Sequence, residues 1–441
     1  MRLRAQDRQI FALAVPAFAA LVAEPLFLLT DAAIVGHLGT LELAGLGIAG
    51  AVLATAVGLC VFLAYGTTAG VARMLGAGDL RGALRVGLDG MWLALGLGAV
   101  MWAAATLAAP GLVAALGASP EVVPYAVTYL RWSLPGVPAM LVVLAATGVL
   151  RGLQDTRTPL VVAVCGALAN GLLNWVLVYP VGLGIAGSGL GTSLAQVGMA
   201  LALGVVVVRA ARQHGASLRP HAAGIRLAAW AGAPLVVRTL ALRATLLVTT
   251  AVAASLGDVE LAGHQVVFTL WTFTAFALDA LAIAGQALTG RFLGADDAAG
   301  AREATRRMVM WGVVGGVVIG VLMLAAAPWV GALFSPDRAV QAAIAAALVP
   351  AALAQPLSGY VFVLDGVLIG AGDGRYLAVA SAATLLAYLP MALLVQAAGP
   401  DGLPGLVWLW AVFGAGFMGV RALTLGLRSR GDAWMVTGAT R

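Results

Sequence analysis

Twelve long apolar segments recur along the chain, and short polar stretches separate them. Each segment is long enough for the roughly 20 residues that a helix needs to cross a bilayer. They cover, approximately, residues 10–35, 45–70, 86–113, 123–150, 158–180, 186–208, 228–256, 261–289, 308–334, 340–368, 376–397 and 403–425. The pattern therefore predicts an all-α polytopic membrane protein with twelve transmembrane helices and no soluble catalytic domain between them.

Short sequences of the first half of the chain recur in the second half. The offset between matching residues is constant and equals the separation of Gly148 and Gly366. The sequence GVLRGLQDTR, which begins at Gly148, recurs as GVLIGAGDGR from Gly366, and LGA at 75–77 recurs at 293–295. We call this offset the repeat displacement. An ordered set of matches at one displacement indicates an internal duplication. Because each copy holds an even number of helices, both copies enter the membrane in the same orientation and form a parallel repeat.

The longest hydrophilic connection lies between the two copies, at residues 209–226, and it is basic and contains Gly and Pro. This composition suits a cytoplasmic linker between two similar halves. We therefore expect an N-terminal six-helix lobe at 1–208 and a C-terminal six-helix lobe at 227–441, joined by the linker at 209–226.

Composition supports the membrane assignment and narrows the functional class. The chain is 62% hydrophobic and only 10% charged, whereas soluble domains are about 45–50% apolar and about 25% charged. All 25 basic residues are arginines, so the chain has neither a P-loop lysine nor a lysine for a Schiff base. It also has only four His, two Cys and no HExxH or GxSxG motif. We therefore expect a protein that is not an enzyme, and any active transport would use an ion gradient or a separate ATPase.

Most arginines lie before the first predicted helix or in the segments that follow the even-numbered helices. Because positively charged loops stay on the cytoplasmic side, this distribution predicts cytoplasmic N- and C-termini in a multi-pass protein of the cell inner (plasma) membrane. The arginines on the predicted cytoplasmic side are Arg2, Arg4, Arg8, Arg73, Arg81, Arg85, Arg151, Arg157, Arg209, Arg212, Arg219, Arg226, Arg291, Arg302, Arg306, Arg307, Arg375, Arg428 and Arg430.

Four acids fall inside the apolar segments: Glu24, Asp31, Asp279 and Asp365. A charged group at bilayer depth is costly and is a functional candidate by default. Asp31 lies deep in helix 1, where desolvation disfavours the charged carboxylate, so we interpret it as a proton or sodium relay. The alternative is a structural acid held by polar groups of neighbouring helices.

Glu24 precedes Asp31 by seven residues, which corresponds to about 10 Å along a helix. It is a candidate second proton station or cation contact, or simply a group near an aqueous cavity. Asn170 and Asn174 share one face of helix 5, and Thr192 begins helix 6. These polar residues either hydrogen-bond between helices or supply oxygens to a cation beside Asp31.

The second copy carries its own polar residues, and they do not repeat those of the first. Asp279 and Gln286 lie on helix 8 and Asp365 on helix 10, and the first copy has no acids at the corresponding positions. We interpret these three as candidate substrate-cavity residues, with helix packing as the alternative. Arg131, near the outer side of helix 4, is a further cavity candidate that could equally snorkel to the interface.

Two more arginines, Arg238 and Arg243, fall in the predicted inner part of helix 7. An anion-binding role is one interpretation for these side chains. Structural pairing with the intramembrane acids is the interpretation that we favour.

Several motifs, taken with the duplicated twelve-helix pattern, resemble the multidrug and toxic compound extrusion (MATE) family. They are TDAAIVGHLG on helix 1, LAGHQV at 261–266 and GVLRGLQDTR before helix 5. FTAFALDALAIAGQALTGRFLGA and VFVLDGVLIG resemble the DinF branch of that family in particular. The resemblance covers nearly the whole chain.

This resemblance implies two six-helix lobes around a V-shaped cavity that opens alternately to either side of the membrane. It also implies ion-coupled efflux of amphipathic, often cationic, compounds. By position, Asp31 matches the helix 1 acid central to ion coupling. Asn170, Asn174 and Thr192 match positions close to that acid. Two departures affect the choice of coupling ion: Asn174 stands where family members commonly have a second acid, and Gln286 stands where some DinF-like proteins have Glu.

The leading functional hypothesis is an efflux antiporter that exchanges H⁺ for amphipathic cationic small molecules. Sodium coupling is the first alternative, with Na⁺ held by Asp31, Asn170, Asn174 and Thr192. A flippase for lipid-linked precursors, from the wider superfamily, is the second. We expect no cofactor apart from the coupling ion, and small-molecule substrates and the lipid bilayer as partners. We expect no nucleic acid partner, and a monomer.

Overall fold

The computed structural model describes residues 5–439 and consists of long helices over that range. Eleven helices there are long and apolar enough to span a membrane, and a twelfth span is formed by two helices bent by 52°. The twelve spans are α1 (Ala5–Gly36), α2 (Thr40–Gly76), α3 (Leu80–Ala115), α4 (Val123–Gly152), α5 (Arg157–Val178), α6 (Ile185–Gln213), α7 (Ala222–Leu256), α8 (Asp258–Gly294), α9 (Ala298–Phe334), α10 (Arg338–Leu353 with Gln355–Gly370), α11 (Gly374–Ala398) and α12 (Gly402–Arg430). The predicted twelve-helix fold is confirmed. Arg2 and Arg4, used above for the topology, lie outside the described residues.

The third helix of each copy, α3 and α9, begins with the same capping interaction. Asp79 caps the N-terminus of α3 by accepting a hydrogen bond from the backbone of Gly82 at 2.7 Å, and Asp297 caps α9 through Gly300 at the same distance. The repeat displacement carries one capping aspartate onto the other. A carboxylate at this position satisfies one of the unpaired N–H groups of the first helical turn and suits the helix dipole.

Prolines interrupt the fourth helix of each copy. A 3₁₀ turn, Leu134–Gly136, contains Pro135 and divides α4, while α10 bends between Leu353 and Gln355, next to Pro356. Because proline lacks the backbone N–H that would continue the helical ladder, a helix kinks or breaks where it occurs. Apolar periodicity does not reveal these breaks, since both pieces remain apolar.

By their contacts, the described residues form two compact units. The first unit is Val15–Gly232, and the second unit is residues 5–14 together with Ala233–Ala439. The division therefore passes through α1 after Ala14 and through α7 after Gly232, which are equivalent positions of the repeat. The start of α1 groups with the second unit, although it opens the lobe predicted at 1–208.

Within the second unit, α9 and α10 approach closely along a line of glycines. A β-carbon at Gly312, Gly316 or Gly320 would collide with backbone carbonyl oxygens of α10. Small residues at such spacing allow helix backbones to pack tightly in a membrane, where van der Waals contact is a main source of association. This contact holds the two helices that carry much of the second unit's core.

Candidate functional site

The candidate site is centred on the carboxylate of Asp31, which lies on α1 in the first unit and is only 2% exposed. Its Oδ1 accepts a hydrogen bond from Asn174 Nδ2 at 2.9 Å and another from the Ser188 hydroxyl. Its Oδ2 accepts one from the Tyr129 hydroxyl at 2.9 Å. Both carboxylate oxygens are therefore hydrogen-bonded, and all three donors are neutral side chains.

A second layer of hydrogen bonds surrounds these donors. Asn170 Nδ2 donates to Thr192 Oγ1 at 3.3 Å and to Asn174 Oδ1 at 3.4 Å, and Asn174 Nδ2 lies 3.3 Å from Asn170 Oδ1. The hydroxyls of Tyr129 and Thr192 are 3.4 Å apart. All of these residues are buried. The structure thus joins Asp31, Asn170, Asn174 and Thr192, the four residues proposed from sequence as a cluster, in one network.

Helical spacing places the groups of this network in pairs. Asn170 and Asn174 are four residues apart on α5, and Ser188 and Thr192 are four residues apart on α6, so each pair shares one face of its helix. Between the α6 pair lies Gly191, where a β-carbon would collide with the Asn174 side chain. The small residues of α6 therefore let its polar face approach α5 and α1.

Sequence analysis did not identify Tyr129 and Ser188 as part of the site. Ser188 could have been found, because it lies one helical turn before Thr192 on the same face of α6. Tyr129 offers no comparable signal, since it lies on α4, 98 residues away from Asp31. Its inclusion depends on how α4 packs against α1.

Glu24 lies outside the hydrogen-bonded network. Its side chain is exposed, and no hydrogen bond or ion pair links it to another side chain among residues 6–439. Seven residues of helix separate it from Asp31. The structure therefore does not join Glu24 to the network, and its role in ion coupling stays a prediction.

A second buried ionic group lies in the second unit, around Asp365 of α10. Arg238 of α7 pairs with it through two contacts, one of them from Nε to Oδ1 at 3.2 Å. Arg421 of α12 lies 3.4 Å from Oδ2, and its guanidinium carbon is 5.5 Å from the centroid of the Phe417 ring. The favoured pairing of Arg238 with an intramembrane acid is thus observed, and all three charged residues are buried.

The remaining cavity candidates are placed separately. Asp365 and Gln286 lie inside the helix packing of the second unit, at 6% and 2% exposure, instead of on an open surface. Asp279 is partly buried on α8, whereas Arg131 and Arg243 are exposed. Ion pairing explains why Asp365 is buried, and close helix contact explains why Gln286 is buried. A substrate-binding role for Asp279, Gln286, Asp365 and Arg131 stays a prediction.

The second copy does not reproduce the Asp31 site. The repeat displacement carries Asp31 onto Thr249 and Asn170 onto Tyr388, and the hydroxyls of Thr249 and Tyr388 are 2.8 Å apart. Thr192 corresponds to Trp410, which is 1% exposed. The equivalent positions therefore hold Thr249, Tyr388 and Trp410. None of the three is an acid, whereas the first unit has the carboxylate of Asp31 there.

Comparison with known proteins agrees with the duplicated architecture. The family profile described as MatE matches residues 16–176 and again 234–394, so the two matches begin at equivalent positions of the repeat. The chain belongs to the MATE family. Proteins of this family are membrane transporters, not enzymes, and this chain is an integral membrane protein of that kind.

Curated relatives are similar over most of the chain. Protein DETOXIFICATION 44, chloroplastic, of Arabidopsis thaliana is 29% identical over 415 residues, covering 91% of this chain and 78% of the relative. DNA damage-inducible protein F of Escherichia coli (strain K12) is 28% identical over 382 residues, covering 84% of this chain and 82% of the relative. The multidrug resistance protein PmpM of Pseudomonas aeruginosa is 26% identical over 88% of this MATE chain and 83% of its own length.

Solved MATE structures share the fold. The Vibrio cholerae MATE transporter VcmN in its bent form superposes with a TM-score of 0.88, at 21% identity and 98% coverage of both chains. A transporter of the MOP superfamily from Pyrococcus furiosus superposes with a TM-score of 0.86, at 22% identity and 96% coverage of both chains. At these identities the likeness establishes the fold alone.

Proposed function

We propose that this MATE protein is a secondary active antiporter that exports amphipathic cationic small molecules in exchange for protons. One observation carries the proposal: the buried carboxylate of Asp31 has hydrogen-bonding partners that are all neutral. Such a group changes the charge of its surroundings by a full unit when it gains or loses a proton. It is therefore suited to bias a two-state equilibrium.

The hydrogen-bond network supports a specific sequence of events. The ionised carboxylate accepts from Tyr129, Asn174 and Ser188. A protonated Asp31 must instead donate from one oxygen, so at least one hydroxyl partner has to rotate and accept. Because the partners belong to α4, α5 and α6, this exchange alters how α1 packs on three helices. Loss of the negative charge also weakens attraction for a cationic substrate and favours its release.

Proton coupling is favoured over sodium coupling by the charge of the network. A hard cation prefers several anionic oxygens, whereas the hydrogen-bonding partners of Asp31 are all neutral. The side-chain oxygens of Asn170 and Thr192 lie close by and support Na⁺ as the second candidate. Asn174 contributes an amide where a second carboxylate would strengthen cation binding.

A flippase for phosphate-bearing lipids has weaker support. It would require arginines exposed to a phosphate group; Arg131 and Arg243 are exposed, whereas Arg238 is buried against Asp365. We further propose a monomer in the cell inner membrane with both termini in the cytoplasm. This orientation rests on the arginine distribution. Its partners are small-molecule substrates and lipid, without nucleic acid and with no cofactor beyond the coupling ion.

The test is transport by purified protein in liposomes, with pH and sodium gradients imposed separately and efflux of an amphipathic cationic dye, ethidium, as the readout. We expect efflux from the wild type under the pH gradient, and none from Asp31→Asn, which keeps the side-chain shape but cannot ionise. Glu121→Gln is the control, since it removes an exposed acid from the connection between α3 and α4. Full pH-driven efflux by folded Asp31→Asn would refute the mechanism, and efflux driven by sodium at constant pH would favour the alternative ion.

A further inference from the structure

The end of the linker and the first turn of α7 pack against α3 within the first unit. Trp92 of α3 donates a hydrogen bond from Nε1 to the carbonyl oxygen of Leu218 at 3.1 Å. Asp89, also on α3, is buried and accepts a hydrogen bond from the backbone of His221. A β-carbon at Gly224 would collide with the Asp89 carboxylate, so the start of α7 lies directly against this acid. These contacts hold α3 and α7 side by side near the ends at which both helices begin.

Two exposed arginines flank this contact, one on each helix. Arg85 lies one turn before Asp89 on α3, and Arg226 lies two residues after Gly224 on α7. Arg85 is close enough to attract the charge of the Asp89 carboxylate without forming an ion pair with it. Over residues 6–439, neither guanidinium makes a hydrogen bond or an ion pair. The two helices therefore present guanidinium donors that are open to a partner from outside the chain.

An exposed tryptophan follows each arginine on the same helix face. Trp92 lies two turns after Arg85, and Trp230 lies one turn after Arg226, which corresponds to about 10 Å and about 6 Å along the helix axes. The two tryptophans are 38% and 73% exposed. In the proposed orientation both helices begin on the cytoplasmic side, so the arginines lie nearer the cytoplasm and the tryptophans lie deeper. Tryptophan favours the boundary between headgroups and acyl chains, which places the arginines at the level of the headgroups.

The second copy does not carry this combination of residues. The repeat displacement puts Glu303 in place of Arg85 and relates Trp230 to Ala12. Glu303 is exposed, so the corresponding surface of α9 presents a negative charge to its surroundings. In the first unit, by contrast, residues 209–230 contain four arginines and no acid. The pairing of exposed arginines with exposed tryptophans is therefore specific to α3 and the start of α7.

We propose that Arg85, Arg226, Trp92 and Trp230 form a binding site for an anionic phospholipid of the cytoplasmic leaflet, with phosphatidylglycerol as the lipid. The two guanidinium groups bind the phosphate, since their paired N–H donors match its oxygens. The two indole rings contact the glycerol backbone and the upper part of the acyl chains. Clusters of arginine at the cytoplasmic ends of membrane helices attract anionic lipids in general, and here two helices in fixed contact supply them. The leaflet rests on the proposed orientation, whereas the site itself does not depend on the transport activity.

Lipid binding is tested by native mass spectrometry of the purified protein in detergent, titrated with dioleoyl phosphatidylglycerol or dioleoyl phosphatidylcholine. We expect the wild type to bind phosphatidylglycerol more tightly. Each arginine near a membrane surface contributes about fivefold to the attraction of anionic lipid, so Arg85→Gln with Arg226→Gln should weaken this binding roughly thirtyfold. Both positions are exposed, and an unchanged unfolding temperature will verify that the variant is folded.

The matched control is Arg8→Gln with Arg306→Gln, which removes two exposed arginines from the second unit and should bind phosphatidylglycerol as the wild type does. Equal loss in the two double variants, or no loss in the first, would overturn the proposal. Glycerol phosphate is the probe for a free phosphate source. It should not compete at equal concentration, and displacement of the lipid by it would overturn the assignment to a phospholipid.

The position of the lipid is tested by fluorescence in liposomes, because bromine atoms on an acyl chain quench nearby tryptophans. Brominated phosphatidylglycerol should quench the wild type more strongly than brominated phosphatidylcholine. This excess should disappear in Trp92→Phe with Trp230→Phe, and an excess that persists there would contradict the assigned site. Neither measurement uses transport. Absence of efflux would therefore refute the proposed function alone, while the lipid measurements still decide the binding site.

Discussion

Two buried aspartates in this protein have different kinds of partners. Asp31 is surrounded by hydroxyl and amide donors, whereas Asp365 lies between Arg238 and Arg421. Neutral donors add no charge to the surroundings of a carboxylate, whereas two guanidinium groups place positive charges beside it and compensate its negative charge. The first arrangement suits ion coupling and the second suits a fixed structural charge, a distinction that residue type alone does not make.

Asn174 provides a test of ion selectivity at this scale. In Asn174→Asp, a second carboxylate replaces the amide that now lies 2.9 Å from the Asp31 carboxylate. Two acids at this distance cannot both stay ionised without sharing a proton or a cation, and carboxylate oxygens are good ligands for hard cations. We expect a sodium-stimulated component of ethidium efflux that the wild type lacks, measured with a sodium gradient at constant pH.

Asn174→Leu is the matched control for that substitution, because it removes the amide without adding charge. It should lower pH-driven efflux and show no response to sodium. A sodium response of equal size in Asn174→Leu, or none in Asn174→Asp, would contradict the prediction.

The Asp365 group is expected to matter for stability. Arg238→Gln removes the two-contact partner of a buried carboxylate, and breaking a buried ion pair in this way typically costs about 3–5 kcal/mol. We expect the lower end of that range, because Arg421 remains nearby. The measurement is thermal unfolding of the purified protein in detergent.

Arg243→Gln is the control for this stability measurement, since Arg243 is exposed on the same helix. The double variant Arg238→Met with Asp365→Leu should recover much of the loss, because it removes both charges together. Equal unfolding temperatures for Arg238→Gln and Arg243→Gln would rule out a stabilising role for the pair.

At the scale of helices, hydropathy identifies each span but not how spans contact one another. The twelve apolar segments correspond one to one with α1–α12. The 52° bend in α10 and the 3₁₀ turn in α4 remain hidden in the apolar pattern, although their prolines mark them. Helix bounds follow from local sequence, whereas helix partners depend on which small residues meet which backbones.

The contact between α9 and α10 allows a matched comparison of neighbouring glycines. In Gly316→Ala, the new methyl group would collide with the backbone oxygen of Gln355, while at Gly315 a β-carbon meets nothing within 4 Å. Overpacking of this kind typically costs about 1–3 kcal/mol. We therefore expect Gly316→Ala to unfold at a lower temperature than the wild type in detergent. Gly315→Ala should be neutral or slightly more stable, since alanine favours helix by about 1 kcal/mol. The reverse order would contradict the assigned contact.

At the scale of the whole molecule, the two copies share backbone features but differ in their polar residues. The capping aspartates Asp79 and Asp297, the prolines Pro16 and Pro234, and the points where α1 and α7 change unit recur at the repeat displacement. The Asp31 network does not recur, and Tyr388 and Trp410 stand in place of Asn170 and Thr192. Repeated backbone features can thus accompany polar residues that differ between the two copies.

The proposed orientation in the membrane can be tested with two exposed serines. Ser119 lies between α3 and α4, and Ser217 lies between α6 and α7. In a Cys165→Ser background, a membrane-impermeant maleimide should label Ser119→Cys in intact cells and Ser217→Cys only after permeabilisation. The reverse pattern would place the arginine-rich connections outside and contradict the proposed topology.

Span number, duplication, family and the choice of Asp31 as a candidate are all readable along the chain, because hydropathy, spacing and a costly intramembrane charge are properties of consecutive residues. The partners of each charged group are not readable in this way. Tyr129 reaches Asp31 from 98 residues away and Arg238 reaches Asp365 from 127 residues away, through helix packing that brings distant faces together. Tertiary structure alone therefore separated a carboxylate with neutral partners from one paired with two arginines, since the partners of each acid come from other helices.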